Sequence, residues 1–245
     1  MFLQNSIVDI VSNEKTGIHK CFLGHGTVVG MLSSPTGPSF QTRAEHRVPP
    51  YEKAKGWRLN WTLRVDATVP VKDATSEKHR WKQVLDLGDG CILGLTNVDL
   101  PAELQAELME AMHVHGNPDI TYVFGKRFEN KGRKVLEQAH VAGRTYSYGG
   151  KTTMPGQAFG PCATAFIQEH ILPFFGVSIE SVWAHLVFYP TPDCQLGWHG
   201  DSENGLNTHT IISVTMFEFP TEGVRPFDVR LLSKKLSNKK QKVKV

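Results

Sequence analysis

The chain has 245 residues, of which 40% are hydrophobic and 21% charged, and its formal net charge is +3. These values predict a soluble globular protein with a sizeable core, built as one large domain or as one domain with an extension. No apolar run of about eighteen residues occurs, so no membrane span is expected. The four cysteines are far apart and lack Cys-x-x-Cys spacing, which argues against a zinc site and a disulfide framework.

The positive charge is concentrated at the end of the chain. Residues 234–245 contain six lysines and no acidic residue, so the rest of the chain is net negative. Such a tail is suited to holding phosphates, to guiding nuclear import or to forming a solvated end, and these alternatives stay open. The cysteine usage favours an intracellular location, and the lysines alone suggest the nucleus.

The first third of the chain predicts short strands and loops. Residues 1–50 contain early glycines and a turn-rich stretch at 33–39. Residues 57–65 alternate between apolar and polar side chains, which predicts a half-buried strand whose two tryptophans, Trp57 and Trp61, belong to the core. Residues 72–84 are polar and are interpreted as a linker. We therefore expect a recognisable domain to begin near Leu85.

The remainder predicts helices followed by strands. A helix should begin at Pro101 and end before Gly116, with the last-turn histidines His113 and His115 suited to its negative end rather than to a metal. A second helix should run from Pro161 to about Phe174. Strands are expected at 92–95, 181–189, 209–219 and 226–232. This pattern predicts an α+β domain with an antiparallel β-sandwich or jelly-roll core.

A His-x-Asp pair ends the strand-like segment that contains Gly197-Trp198-His199-Gly200-Asp201. Two of the three ligands of a 2-His-1-carboxylate Fe(II) site have this form, and such a site leaves one face of the metal open for oxygen and a co-substrate. The alternative is a turn-forming aspartate beside a surface histidine. The surrounding motifs favour the metal-binding interpretation.

Several ordered segments resemble the AlkB family of Fe(II)/2-oxoglutarate-dependent dioxygenases. They cover roughly residues 87–232. These segments are Val123-Phe-Gly-Lys126, Gly132-Arg133-Lys134-Val135, Thr145-Tyr146-Ser-Tyr148-Gly149, Met154-Pro155, the strand ending in Tyr189, Gly197-Trp198-His199-Gly200-Asp201, Ile211-Ile-Ser-Val-Thr215 and Arg225-Pro-Phe-Asp-Val-Arg230. The resemblance implies a double-stranded β-helix (jelly-roll) core with flanking helices in residues 85–232, preceded by an extension of unknown role at 1–84 and followed by a Lys-rich tail at 233–245.

The resemblance also implies roles for individual residues. His199 and Asp201 would bind Fe(II), and Tyr189 would donate its hydroxyl group to 2-oxoglutarate. The substrate-binding candidates are Glu203, which would accept a hydrogen bond from an exocyclic amine, Tyr146 and Tyr148, which would contact a flipped base, and Arg133, which belongs to a basic stretch with Lys126, Arg127, Lys134 and Arg144 that can hold phosphates. The tyrosines have an alternative role as core aromatics, and the basic residues as a solvated face.

The chain departs from the family in three places. Val187 replaces the asparagine that accompanies Tyr189, which removes one hydrogen bond to the co-substrate. The family's distal histidine and its 2-oxoglutarate-binding arginines come later in the chain, yet His209 is the only histidine after Asp201 and is a weak candidate for the third ligand. We therefore expect a jelly roll that is incomplete at its C-terminal end and exposes an open sheet edge.

The resemblance implies oxidative dealkylation of N-alkylated bases in single- or double-stranded DNA or RNA, with Fe(II), 2-oxoglutarate and O2. Two alternatives remain. One is a catalytically inactive AlkB-like protein that binds nucleic acid, which the absence of a third ligand would favour. The other is a hydroxylase of protein or lipid, which fits the basic residues of the chain less well than a nucleic-acid substrate does.

Overall fold

The computed structural model describes residues 8–73, 75–76, 78–123, 126–143, 147–148, 151–152, 156–201, 205–220 and 224–232. The strands are β1 Val8–Asn13, β2 Ile18–Leu23, β3 Thr27–Ser33, β4 Ala44–Val48, β5 Arg58–Val65, β6 Gln83–Gly88, β7 Cys91–Asn97, β8 Asn117–Val123, β9 Lys126–Ala139, β10 Ser147–Tyr148, β11 Lys151–Thr152, β12 Gln157–Ala158, β13 Val182–Tyr189, β14 Leu196–His199, β15 Thr210–Phe217 and β16 Arg225–Leu231. The α-helices are α1 Phe40–Arg43, α2 Ala102–His115, α3 Pro161–Phe166 and α4 Leu172–Phe175, with a π-helical turn at Ile167–Ile171 between the last two and 3₁₀ turns at Lys78–Arg80 and Ile179–Ser181.

The described strands form one sheet of nine strands, one of five and one of two. The nine-stranded sheet has the order β12-β9-β13-β5-β15-β3-β7-β6, with β8 paired to β9. The five-stranded sheet has the order β1-β2-β16-β4-β14, and β10 pairs with β11. All of these pairings are antiparallel except that of β12 with β9. The molecule is thus a mixed, strand-rich fold dominated by antiparallel sheets.

Helices cover one face of the nine-stranded sheet. The apolar side chains Leu59, Trp61, Leu63 and Val65 of β5 point to this face and share a core with α2 and the 161–175 helical segment. Helix α2 follows the prediction: Pro101 precedes it, Gly116 follows it, and Leu104, Leu108 and Met112 are its buried stripe. The second predicted helix is also confirmed, and a π-helical turn interrupts it. The three later strands lie within two residues of their predicted bounds.

The five-stranded sheet packs against the other face. Side chains of β2, β4 and β16 share a second core with side chains of β3, β7 and β13. The predicted strand at 57–65 exists, but its half-buried character is wrong, because its polar face is buried as well. Arg58 and Arg64 on that face are 0% and 4% exposed. They lie between the two sheets, where their charge requires a functional or structural partner.

Strands from the first part of the chain complete both sheets. Strand β16 is an interior strand, because it pairs with β2 on one side and with β4 on the other. Within the described residues, the incomplete C-terminal end expected from the sequence is not seen at this strand, because both of its sides are paired. Strands β3 and β5 likewise flank β15 in the larger sheet. Residues on both sides of the boundary expected near Leu85 thus contribute to the same sheets.

The segment between β5 and β6 is anchored by a buried indole. Trp81 stacks on Phe174 with ring centroids 4.6 Å apart and lies directly on the backbone of Gly30 and Gly94, which face each other across β3 and β7. A methyl group added to either glycine would lie 2.3 Å from the indole ring. The polar stretch interpreted as a linker is therefore fixed to the sheet at its end.

No helix among the described residues is long and apolar enough to cross a membrane.

Candidate metal centre

Three side chains from distant parts of the sequence converge at one end of the space between the sheets. His46 lies on β4, His199 ends β14, and Asp201 follows two residues later. His46 and His199 are directly paired in the register of these two strands. One potential ligand atom from each of the three residues lies within 4.8 Å of the others. Two imidazoles and one carboxylate at this spacing form a group that can bind a divalent metal.

The ring nitrogens face the two oxygens of one carboxylate. His46 Nε2 lies 3.6 Å from Oδ2 of Asp201, and His199 Nε2 lies 3.4 Å from Oδ1. The Nδ1 of His199 donates a hydrogen bond to the carbonyl oxygen of Gly197 at 2.8 Å. That hydrogen bond places the proton on Nδ1 and leaves the lone pair of Nε2 directed at the shared space, as a metal ligand requires.

Backbone and side-chain contacts hold Asp201 in place. Its amide donates to Oε1 of Gln41 at 2.7 Å, and Nη2 of Arg64 lies 3.1 Å from Oδ2. The preceding residue must be glycine, because a Cβ at Gly200 would lie 2.7 Å from the carbonyl oxygen of Gln41. The middle residue of the His-x-Asp pair is therefore fixed by close packing against helix α1.

The protonation states of His46 and Asp201 suit metal binding, whereas a proton on His199 competes with it. Burial lowers the pKa of His46 to about 3, and the neighbouring His199 contributes to the same direction, so this imidazole is neutral. Burial alone would raise the pKa of Asp201, but Arg64 and the two imidazoles hold it well below its usual range. Burial opposes the charged form of His199, yet the hydrogen bond and charge of Asp201 outweigh it and raise the pKa of this imidazole. In the metal-free protein His199 therefore holds a proton more readily than a free imidazole does, and a metal would have to displace that proton.

A cavity of about 610 Å³ opens beside this group and is lined by all three residues. This volume is typical of a site for a small molecule. Its floor is the polar face of the nine-stranded sheet, to which β5 contributes Asn60, Thr62 and Arg64. A row of four directly paired residues crosses this floor, namely Glu137, His185, Thr62 and Ser213. Within it His185 Nδ1 donates to Glu137 at 2.6 Å, and the two hydroxyl groups are 3.2 Å apart.

Tyr189 lines the cavity, and a fully buried arginine, Arg58, lies beside it without being part of the lining. The Tyr189 hydroxyl and the Nη1 and Nη2 atoms of Arg58 are buried and have no hydrogen-bond partner among the described residues. The Arg58 guanidinium lies 5.8 Å from the ring centroid of Tyr189, and its Nε donates to Asn60. Burial lowers the pKa of Arg58 to about 9, with Arg225 contributing and Tyr189 opposing. Burial raises the pKa of Tyr189, so its hydroxyl keeps its proton. Buried donors without partners, such as these, are able to bind an anion.

Arg133 lies in the cavity wall rather than on an open basic face. It is 6% exposed, pairs with the carboxylate of Asp119 and donates to the carbonyl oxygen of Gln195 at 2.8 Å. Its guanidinium also lies 5.8 Å from the Tyr189 ring. Arg133 thereby connects β8 to the loop after β13 beside Tyr189. It lines the cavity, but it is already paired with a carboxylate, which differs from the phosphate contact expected for it.

The structure brings His199, Asp201 and Tyr189 to one cavity, as expected from the sequence. His209 is not part of the cluster; its Nδ1 is within hydrogen-bond distance of Ser33 Oγ, at 3.2 Å. His209, the weak candidate for the third ligand, therefore lies outside this group, and His46 is its third member. Tyr146, Glu203, the side chain of Tyr148 and the 233–245 tail lie outside the described residues.

Sequence reasoning missed His46, Arg58 and Arg64. The missed signal was present in the 57–65 segment, where an arginine, an asparagine and a second arginine recur on the polar side of a strand otherwise as apolar as a core strand. Two arginines on one face of such a strand indicate an anion site between the sheets rather than a solvated face. His46 carried no local signal, because its role depends on the pairing of β4 with β14.

Comparisons with protein-family models, with curated proteins and with solved structures found no match for this chain.

Proposed function

We propose that the protein is an Fe(II)/2-oxoglutarate-dependent dioxygenase of the AlkB type that removes alkyl groups from bases in DNA or RNA. The observation that carries the proposal is the cluster of His46, His199 and Asp201 beside a cavity of about 610 Å³. The proposed third ligand is His46, since the residues after Asp201 offer only His209. A facial set of two histidines and one carboxylate is the ligand set of non-heme Fe(II) oxygenases.

The residues present fit the metal. His46 and Asp201 are buried, both histidines direct Nε2 toward the carboxylate, and Asp201 stays ionised. When bound, Fe(II) supplies oxidation of the N-alkyl carbon by O2, coupled to conversion of 2-oxoglutarate to succinate and CO2. The chain's own part is to hold the three ligands on one side of the cavity, so that the opposite side stays open to co-substrate and substrate.

The residues present also fit a dicarboxylate. The Tyr189 hydroxyl in the cavity and the Nη1 and Nη2 atoms of the neighbouring Arg58 have no hydrogen-bond partner among the described residues and are suited to one carboxylate, with Asn60 beside them. Arg64 lies next to the metal ligand Asp201 and is suited to the charge of the other end. Val187, which replaces the expected asparagine, directly opposes Asn60 in the sheet. Arg64 already has a carboxylate partner in Asp201, whereas burying the Arg58 guanidinium is costly unless an anion joins it, so Arg58 is the residue that supports an anionic co-substrate.

We propose that the order of the elements differs from that of the family. For this reason the sequence predicted a jelly roll that is incomplete at its C-terminal end. In the family the distal histidine and the co-substrate arginines follow the strands that resemble β15 and β16. Here β4 and β5 precede them, and carry His46, Arg58 and Arg64 in the same relative order. We accordingly propose that the two packed sheets form a double-stranded β-helix. The strands that come last in the sequences of the family would correspond to strands that come first in this chain.

The experiment is turnover of a single-stranded oligonucleotide that carries a methylated base. The purified chain is given Fe(II), 2-oxoglutarate and O2, and succinate and formaldehyde are measured together. The proposal expects both products from the parent and neither from His199→Ala or Asp201→Ala, with circular dichroism showing that the variants are folded. Salt-sensitive binding of the oligonucleotide without succinate in the parent would instead support the alternative of a catalytically inactive nucleic-acid-binding protein.

A further inference from the structure

The strand that carries His199 is weakly held by its own backbone. Strand β14 has four residues, lies at the edge of the five-stranded sheet and, among the described strands, pairs with β4 alone. Its register with β4 is irregular between Leu196 and His199. A short edge strand with an interrupted ladder gains little stability from hydrogen bonds. Some other contact must therefore keep His199 opposite His46.

The neighbours of the two histidines meet on the opposite face of the sheet. Side chains alternate along a strand, so Arg47 and Trp198 project away from the cavity into which His46 and His199 point. The guanidinium carbon of Arg47 lies 4.6 Å from the centroid of the Trp198 ring, and that of Arg230 lies 4.1 Å from it. Both distances are within the range of cation–π attraction.

Acidic side chains fix both arginines. Nε and Nη2 of Arg47 each lie 2.8 Å from Oδ2 of Asp228, whose side chain is fully buried. Nη2 of Arg230 lies 3.1 Å from Glu45. The five residues Glu45, Arg47, Trp198, Asp228 and Arg230, here called the outer-face network, connect β14 to β4 and β16. Because each arginine has a carboxylate partner, the indole meets two guanidinium groups of defined orientation.

We propose that Trp198, held by Arg47 and Arg230, is the positioning residue that sets the distance between His199 and His46 and thereby the affinity for the metal. It contacts neither the metal nor the substrate, and it acts through the backbone of β14. This inference rests on the proposed metal centre. Asp201 has a separate support in Gln41 and Arg64, so loss of the outer-face network displaces His199 while the carboxylate stays in place.

The test is the affinity of the metal-free protein for Mn(II) alone, measured from the signal of free Mn(II) by electron paramagnetic resonance. Trp198→Ala should weaken binding by about tenfold to a hundredfold, the loss typical of residues that orient metal ligands. Trp198→Phe keeps an aromatic face and should restore most of the affinity, whereas Trp198→Leu, which fills space without a ring quadrupole, should not. Arg230→Met should weaken binding in the same direction, since it removes one of the two cations over the ring.

The matched control is Arg43→Met, which removes an arginine of similar exposure that pairs with Asp89 and does not lie over Trp198. Thermal unfolding without metal gives the folded fraction of every variant, so a merely structural effect appears there and not in the affinity of the folded protein. Equal affinity of the parent, Trp198→Ala, Arg230→Met and Arg43→Met would overturn the inference. Absence of Mn(II) binding in the parent would overturn the proposed metal centre and this inference with it.

Discussion

His46 and His199 face each other across the β4–β14 pairing, with imidazole centroids 4.1 Å apart. One belongs to the first part of the chain and the other to the last, and only the register of two short strands brings them together. Phe227 stacks against the other side of His46 at 5.3 Å. Asp201 adds its carboxylate to this pair, and the three groups define the centre on which the proposed chemistry depends.

Arg58→Met should abolish 2-oxoglutarate binding while leaving the metal-free protein as stable as the parent or more stable. The guanidinium is fully buried, and its Nη1 and Nη2 lack partners among the described residues. Replacing buried charged groups by apolar side chains of similar volume often leaves the free energy of unfolding unchanged or raises it by about 1–4 kcal/mol. Urea unfolding and calorimetric titration with 2-oxoglutarate check the two effects. Lower stability with unchanged 2-oxoglutarate affinity would show that Arg58 is structural.

Metal affinity should fall as the pH is lowered through a value above the ordinary 6.5 of histidine. The pKa of His199 is raised, because Asp201 outweighs the effect of burial, so at lower pH the metal must displace a proton. His46, with its pKa near 3, and Asp201, whose pKa is lowered, add no titration in this range. Below the His199 pKa, Mn(II) affinity should fall by about tenfold per pH unit. Affinity that stays constant from about pH 8 to about pH 6 argues against this protonation scheme.

Glu137→Gln should reduce the preference for cationic alkylated bases over neutral ones. The carboxylate lies in the cavity wall, 10% exposed, and accepts the Nδ1 hydrogen of His185. Alkylation at N1 of adenine or N3 of cytosine leaves a positive charge on the ring, whereas alkylation at N3 of thymine does not, and a carboxylate favours the former. The ratio of kcat/KM for 1-methyladenine to that for 3-methylthymine should drop by roughly tenfold, equivalent to about 1.4 kcal/mol. An unchanged ratio places the base elsewhere in the cavity.

Gly94→Ala should destabilise the fold without changing the metal centre. The added methyl group would lie 2.3 Å from the indole of Trp81, which is stacked on Phe174 and has no room to move away. Overpacking of this kind costs about 1–3 kcal/mol, and urea unfolding measures it. Gly37→Ala is the control, because the nearest atom to its added methyl group would lie at 3.7 Å. Equal midpoints for the two variants would mean that Trp81 does not anchor the segment.

Much of the fold followed from local patterns. The apolar stripe of α2, the Pro161 helix and the alternation at 57–65 each predicted an element that the structure contains. The His-x-Asp pair was sufficient to place His199 and Asp201 together, because ligands two residues apart are brought together by local geometry alone. These are the parts of the structure that depend on residues near each other in the chain.

The remainder depends on long-range pairing, which local patterns do not encode. His46 becomes a ligand candidate only when β4 pairs with β14, and Arg58 becomes buried only when a second sheet covers β5. In the AlkB family the distal histidine and the arginines follow the residue that corresponds to Asp201. Residues 1–84, which contain His46 and Arg58, were therefore interpreted as an extension. Strand alternation gave the correct face for Arg58 and Arg64 but could not show whether that face met water or another sheet.

The most direct test of the proposed centre is the stoichiometry and affinity of Mn(II) for the parent, His46→Ala and His209→Ala. We expect one ion per chain for the parent and for His209→Ala, with the same affinity, and no measurable binding for His46→Ala at the same concentrations. The reason is that His46 belongs to the group of three proposed ligands, whereas His209 lies outside that group, with its Nδ1 within hydrogen-bond distance of Ser33. Equal binding by the parent and His46→Ala, or loss of binding in His209→Ala alone, would refute the centre described here.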